Sequence, residues 1–238
     1  MSKRIAVLGA GSWGTALAMQ LARVGHTANL WARSAAHVES MIEHGENRRY
    51  LSGVPLAESI KPTAELDGAL NGVDRILLAV PSSAFAGVLD RIGQRVEASC
   101  GLAWATKGFE PGTGRLLSAS ARERLGPAVP LAAVTGPSFA GEVARGLPTA
   151  VTVGASEPEF GRAWAALLHG RSFRAYYTSD LIGAQLGGSV KNVLAVACGM
   201  ADGLGLGQNT RAALITRGLA ELMRLGEAMG AEGRTLMG

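Results

Sequence analysis

Apolar positions along this chain fall into two rhythms. Compact, largely apolar runs occupy 5–8, 27–31, 75–80, 102–105, 131–134, 149–153 and 173–177, and the stretches between them space apolar residues three or four apart. A compact run predicts a strand buried on both faces, and the wider spacing predicts an amphipathic helix. Helices are expected after the first run (ending near Gly25), over 34–44 with Ser34 as N-cap and Val38, Met41 and Ile42 on one face, and over 65–70, 84–94, 114–125 and 158–168. The segment 46–55 reads as a loop from its turn residues, and 60–62 as a short extended piece. Strands alternating with helices imply right-handed βαβ crossovers, hence an α/β fold with a Rossmann-type, doubly wound, mostly parallel sheet.

The pattern changes after Thr178. From Asp180 onward only helical spacing remains, interrupted at 203–207, with a second helix expected over 210–229 and capped by Asn209. This predicts a Rossmann domain over 1–179 and the start of an all-α, substrate-binding domain over 180–238. Two helices do not readily bury each other's apolar faces, so they must lean on the sheet or on further chain.

Composition narrows the function classes. With 238 residues, 47% hydrophobic and 18% charged, the chain has ample material for a globular core. The net charge of +4 comes without a dense Lys/Arg block and with 5% aromatic residues, which argues against nucleic acid and suits anionic small molecules. Cys100 and Cys198 lie far apart in apolar sequence, as buried thiols of a reducing compartment would. The chain enters its first strand at once and carries no apolar run long enough to cross a bilayer, so a cytoplasmic protein without membrane insertion is expected.

The first strand opens onto Gly9-Ala10-Gly11-Ser12-Trp13-Gly14, a GxGxxG loop leading into a helix. Gly9 permits the tight turn, Gly11 removes a side chain where a pyrophosphate touches backbone, and Gly14 lets helix and strand pack closely. The following helix N-terminus offers free N–H groups to phosphates. Set within one βαβ unit, the loop predicts a dinucleotide site. An NAD site usually has an acid at the end of the second strand; here stand Ala32, Arg33 and Ser34. The Arg33 guanidinium suits a 2′-phosphate, so NADP(H) is expected to be accepted at least as well as NAD(H).

Other polar turns follow the strands at 81–83, 106–108 and 135–138, where ligands of open α/β sheets bind. This places Lys107 at the mouth of the cleft. Lys191 stands as a lone charge in Gln185-Leu186-Gly187-Gly188-Ser189-Val190-Lys191-Asn192, with Ala184, Gly187, Gly188, Ala195 and Cys198 clustered on its side of the helix. Adjacent glycines weaken a helix by about 1 kcal/mol each, which suggests that something approaches that face closely. A lysine with little water around it has a tunable pKa and can exchange a proton with a carbonyl oxygen. A lysine snorkelling to solvent is the open alternative. His26, His37, His44 and His169 have no metal-ligand spacing, and no serine has a His/Asp companion, so neither a metal nor an acyl-transfer site is expected.

Taken together, GAGSWGTALA (9–18), VPSSAF (80–85), WATKGFE (104–110), TGPSFAGEVARGLPTA (135–150), GAQLGGSVKN (183–192) and NTRAALITRGLAEL (209–222) resemble the bacterial NAD(P)-dependent glycerol-3-phosphate dehydrogenase family along the whole chain. The resemblance implies reduction of dihydroxyacetone phosphate to sn-glycerol 3-phosphate by hydride transfer, for glycerophospholipid biosynthesis. It implies cofactor contacts at Ser12, Trp13, Arg33, Tyr50, Lys107 and Ala140. Substrate contacts fall at Lys107, Gly136, Ser138 and Lys191, with Lys191 as the catalytic proton donor and acceptor. Members of the family continue into a segment whose Asp, Arg and Asn help bind substrate. This chain ends before it, so the helical domain is expected to be incomplete and cofactor binding to survive better than turnover. A homodimer fits this reading, although no residue specifies it. Two rivals remain: an NADP(H)-binding regulator or catalytically incomplete fragment, and another lysine-dependent reductase of the same architecture.

Overall fold

The computed structural model describes residues 2–237. Its centre is an eight-stranded sheet. In chain order the strands are β1 (Arg4–Leu8), β2 (Thr27–Trp31), β5 (Ile60–Thr63), β6 (Arg75–Leu78), β7 (Leu102–Trp104), β8 (Leu131–Thr135), β9 (Thr149–Ala155) and β10 (Phe173–Thr178), while β3 (Glu46–Asn47) and β4 (Leu51–Pro55) form a separate pair. The spatial order is β10-β9-β8-β7-β6-β1-β2-β5. The chain leaves β1 toward β2 and β5, then crosses back to β6 on the other side of β1. That reversal opens a crevice between the ends of β1 and β6.

The compact runs become strands because both sheet faces are covered. In β1, Ile5 and Val7 join one core with α1 (Ser12–Arg23), α2 (Ala35–His44), α6 (Ala140–Ala144) and α7 (Pro158–Leu168). Ala6 and Leu8 join the opposite core with α3 (Leu66–Leu70), α4 (Ser82–Ile92) and α5 (Leu117–Leu125). All four residues are fully buried.

Four details differ from the sequence-based expectations. The expected loop over 46–55 is the antiparallel β3–β4 hairpin, which the turn residues concealed. The sheet is mostly parallel, as expected, with one antiparallel junction where β9 runs against β8 and β10 follows β9. The short helix α6 precedes that reversal. Expected elements are also trimmed: the strand over 75–80 stops at Leu78, and the helix over 114–125 begins at Leu117. Asn209 caps nothing, because it lies inside α9 (Gly207–Met229), which begins two residues earlier.

After β10 the chain is helical: α8 (Leu181–Gly203), α9 and α10 (Gly233–Met237). The Asp180 carboxylate accepts from the Gly183 N–H at 2.7 Å and from the Glu232 N–H at 2.7 Å, which caps α8 and ties the α9–α10 turn to its start. Leu186, Leu222 and Leu236 form a small core with Leu116 of the segment before α5. α8 is long and apolar enough by composition to cross a bilayer, contrary to expectation. Its first half instead buries Ala184, Gln185, Leu186 and Ser189 against the sheet domain, as a core helix does, and its outer half leaves Val193, Val196 and Met200 exposed. Both cysteines are unpaired and half-buried rather than fully buried. Burial pushes the Cys100 thiol up to about 11 and keeps it protonated.

Candidate functional site

Sheet register brings the polar turns level. Leu8 pairs with Trp31 and Leu78, Leu78 with Trp104, and Trp104 with Ala133. The residues that follow each therefore gather at one end of the sheet: Gly9–Gly14 after β1, Arg33 after β2, Lys107 after β7 and Gly136 after β8.

The glycine loop has the shape a dinucleotide needs. Gly9 has φ +123°, and a Cβ there would stand 2.6 Å from the Ala79 carbonyl oxygen. A Cβ on Gly14 would come within 1.9 Å of the Gly9 carbonyl oxygen, so α1 approaches β1 only because both positions lack side chains. A Cβ on Gly11 would meet nothing within 4 Å: that side faces open space. No side chain caps α1 and no acid stands in its first turn, so its N–H groups and dipole remain available to an anion. Ser12 is exposed in that turn; Trp13 is half-buried, its indole N–H buried without a partner. These residues fit a dinucleotide phosphate.

Arg33 is exposed and, among the described residues, makes no hydrogen bond or ion pair. Its guanidinium is free for an anion. Tyr50 is brought to this side by the β3–β4 hairpin, 48% exposed and edge-on to His37 with centroids 5.3 Å apart. Ala140 is half-buried at the head of α6, packed against the core that holds α1. If Arg33 reads the 2′-phosphate, Arg33→Ala should lower kcat/KM for NADPH about tenfold or more relative to NADH, the scale of one lost charge-assisted pair. An unchanged ratio of kcat/KM for the two cofactors rejects that role.

Lys107 and Lys191 converge from different elements. The Thr106 hydroxyl donates to the Val80 carbonyl at 2.8 Å, and the Gly108 N–H donates to the Ser189 hydroxyl at 3.0 Å. Ser189, itself buried, donates to the Gln185 carbonyl within α8 at 2.7 Å. The turn carrying Lys107 is thus pinned to the helix carrying Lys191. A Cβ on Gly188 would lie 2.2 Å from the Thr135 hydroxyl oxygen, so this glycine is where α8 meets the end of β8; Gly187 faces open space.

Of the two settings left open for Lys191, the structure shows the solvent-exposed one. Lys191 is exposed, because α8 rises clear of the sheet after Ser189. Lys107 is the half-buried lysine: burial lowers its pKa, and the nearby Lys191 charge lowers it further. Two cations therefore share one cleft with no carboxylate in the immediate turns. Gly136 has φ +149° and packs where a Cβ would stand 2.7 Å from the Ala150 carbonyl oxygen, which keeps the 135–138 turn tight. The Ser138 hydroxyl donates within that turn to the Gly136 carbonyl at 3.2 Å.

Beyond Lys107 the loop is held by Glu110, which sequence reasoning missed. Its carboxylate accepts from Ser120 at 2.7 Å, Thr113 at 2.7 Å and Arg115 at 2.9 Å. These hydrogen bonds, the Ser120 hydroxyl first, hold Glu110 down to about 2 from its ordinary 4.5. A depressed carboxylate contributes stability above its unfolded pKa and loses it as pH falls through its folded pKa. Glu110→Gln should therefore lower Tm at pH 7, and the gap to wild type should close between pH 4.5 and 2. Thermal unfolding across that range tests it; a gap independent of pH refutes the assignment. No group of three or more His, Cys, Asp or Glu that could hold a metal occurs among the described residues.

Comparison with known proteins matches residues 4–161 to the NAD-dependent glycerol-3-phosphate dehydrogenase N-terminus and residues 180–238 to the C-terminus of the same family. The chain is 57% identical over 235 residues to a glycerol-3-phosphate dehydrogenase [NAD(P)+] of Stenotrophomonas maltophilia, covering 99% of this chain and 69% of that protein. It is 54% identical over 237 residues to one of Xanthomonas campestris, covering 70% of that protein. The crystal structure of glycerol-3-phosphate dehydrogenase from Coxiella burnetii superposes with a TM-score of 0.94 at 47% identity, over 100% of this chain and 72% of that one.

Proposed function

Because the chain belongs to the NAD-dependent glycerol-3-phosphate dehydrogenase family, we propose that Lys191 and Lys107 divide the work of its reaction between proton transfer and phosphate binding. That reaction is the NAD(P)-dependent interconversion of dihydroxyacetone phosphate and sn-glycerol 3-phosphate, a hydride transfer at a secondary alcohol carbon. The observation that carries the division of labour is the Gly108–Ser189 hydrogen bond, which locks the half-buried Lys107 beside the exposed Lys191.

The glycine loop, the first turn of α1 and Arg33 would hold the dinucleotide, with Tyr50 and Ala140 at its flanks. When bound, the reduced nicotinamide supplies the hydride. Lys107 pairs with the substrate phosphate, helped by the 136–138 turn. This pairing relieves both causes of its lowered pKa, because a dianion replaces lost solvation and shields the Lys191 charge. The Lys191 ammonium donates its proton to the ketone oxygen as the C=O electron pair moves onto that oxygen. In the reverse direction the neutral amine accepts the proton from the hydroxyl. Holding ketone, lysine and hydride donor together removes the entropy of assembling them.

We further infer a division of the chain near residue 179, with cofactor held by the sheet domain and the proton carried by α8. Two unpaired cysteines accord with a reducing, cytoplasmic setting. The assay is oxidation of NADPH, followed by absorbance, with dihydroxyacetone phosphate as substrate. Turnover that falls when either lysine is replaced by methionine supports the assignment, and turnover unchanged by replacing a lysine removes that lysine from it.

A further inference from the structure

We propose that Asn47 is the positioning residue of the dinucleotide site, locking the glycine loop in its phosphate-accepting form from beneath. The proposal rests on the dinucleotide reading of that loop. Asn47 lies in the 46–55 hairpin, outside every motif that marks the site, yet it is fully buried. It sits where the β3–β4 register shifts, so the irregular pairing turns its side chain out of the hairpin and under α1.

Each donor of the amide group is used on the loop. The Asn47 Nδ2 donates to the Ala10 carbonyl at 3.0 Å and to the Thr15 hydroxyl at 2.8 Å. Its Oδ1 accepts from the Tyr50 N–H at 3.3 Å. One side chain therefore joins the GxGxxG turn, the first turns of α1 and the residue that flanks the cofactor.

The bond to Ala10 has a consequence for Gly11. Across a planar trans peptide the C=O of one residue and the N–H of the next point in opposite directions. Pinning the Ala10 carbonyl inward onto Asn47 aims the Gly11 N–H outward, toward the side where a Gly11 side chain would meet only open space. The Ala10–Gly11 peptide can flip by rotating ψ of Ala10 and φ of Gly11, and glycine tolerates both signs of φ. On the Gly11 side no side chain and no packed neighbour restrains this peptide. The buried amide of Asn47 supplies that constraint, so the phosphate-binding N–H is already oriented before the cofactor arrives.

The test compares Asn47→Asp, Asn47→Leu and Thr15→Val with wild type. The aspartate substitution would set a carboxylate oxygen against the Ala10 carbonyl, and the leucine substitution would remove both donors. Thr15→Val would remove one acceptor while leaving Asn47 in place. Kd for NADPH and NADH is read by nicotinamide fluorescence, folding by thermal unfolding, and kcat at saturating cofactor and substrate. The expected result is a rise in Kd of about tenfold or more for the Asn47 variants and several-fold for Thr15→Val, the scale of lost buried hydrogen bonds. The rise should be equal for the two cofactors, since both carry the same pyrophosphate, and kcat should stay near wild type. Wild-type Kd in the folded Asn47 variants overturns the proposal. If those variants do not fold, wild-type Kd in Thr15→Val overturns it instead. A wild-type protein that binds neither nucleotide overturns the dinucleotide reading itself, and this proposal with it.

Discussion

Replacing Lys191 with methionine is expected to lower kcat by about 10²–10⁴-fold while leaving cofactor affinity unchanged, the range for loss of a positioned general acid. Methionine keeps the length and apolar stem of lysine but carries no proton. Lys191 lies on the exposed outer part of α8, beyond the last residues that pack on the sheet, so the substitution should not disturb the core. A second signature separates proton transfer from a general loss of charge. Lys191 helps to lower the pKa of Lys107, so removing it should raise that pKa. If Lys107 binds the substrate phosphate, that binding requires its protonated form and is lost as pH rises through its pKa. In Lys191→Met the alkaline loss of substrate affinity should therefore move to higher pH, even as kcat collapses. A variant with near-normal kcat, or one whose KM profile stays in place, would remove Lys191 from the chemistry.

This electrostatic coupling was not legible in the sequence. The glycine pair at 187–188 does mark a close approach, and the structure supplies its partner in Thr135. What the one-dimensional pattern could not say is where α8 leaves the sheet. That departure after Ser189 decides between the two settings left open for Lys191: it is exposed, and Lys107 is the half-buried lysine. Helical spacing identifies neighbours on one helix, whereas hydration depends on other elements far away along the chain.

The fold was most legible where local and tertiary preferences coincide. The runs at 27–31 and 158–168 end where turn and proline signals end them, and the structure agrees residue for residue. Legibility failed in the hairpin at 46–55. Its pairing is short, irregular and mixed in polarity, so no alternation reveals it. It is held from outside, by Asn47 reaching under the glycine loop, and a single buried amide leaves no periodic trace. Glu110 escaped for a similar reason, since its three partners lie up to ten residues away. The antiparallel turn into β9 was hidden because apolar runs carry no direction.

The second large effect should come from the glycine loop, where two substitutions of equal size are expected to behave differently. Gly14→Ala places a methyl group 1.9 Å from the Gly9 carbonyl oxygen and 3.1 Å from the Ala79 Cβ. The obstruction is backbone, so α1 must move away from β1, and overpacking of this kind costs about 1–3 kcal/mol. Both Tm and nucleotide affinity should fall, the latter by about 100-fold or more as the helix N-terminus is displaced from the phosphate site. Gly11→Ala meets no atom within 4 Å and has ordinary extended backbone. Its cost to folding should be no more than a weakened helix cap, about 1 kcal/mol or less. If that open space is where the pyrophosphate lies, its methyl group intrudes there, so nucleotide affinity should fall while the protein stays folded. Thermal unfolding and NADPH titration on the two variants separate packing from recognition. If Gly11→Ala binds NADPH like wild type, the open side of that glycine is not where the phosphates lie, and the loop must hold its ligand through another face.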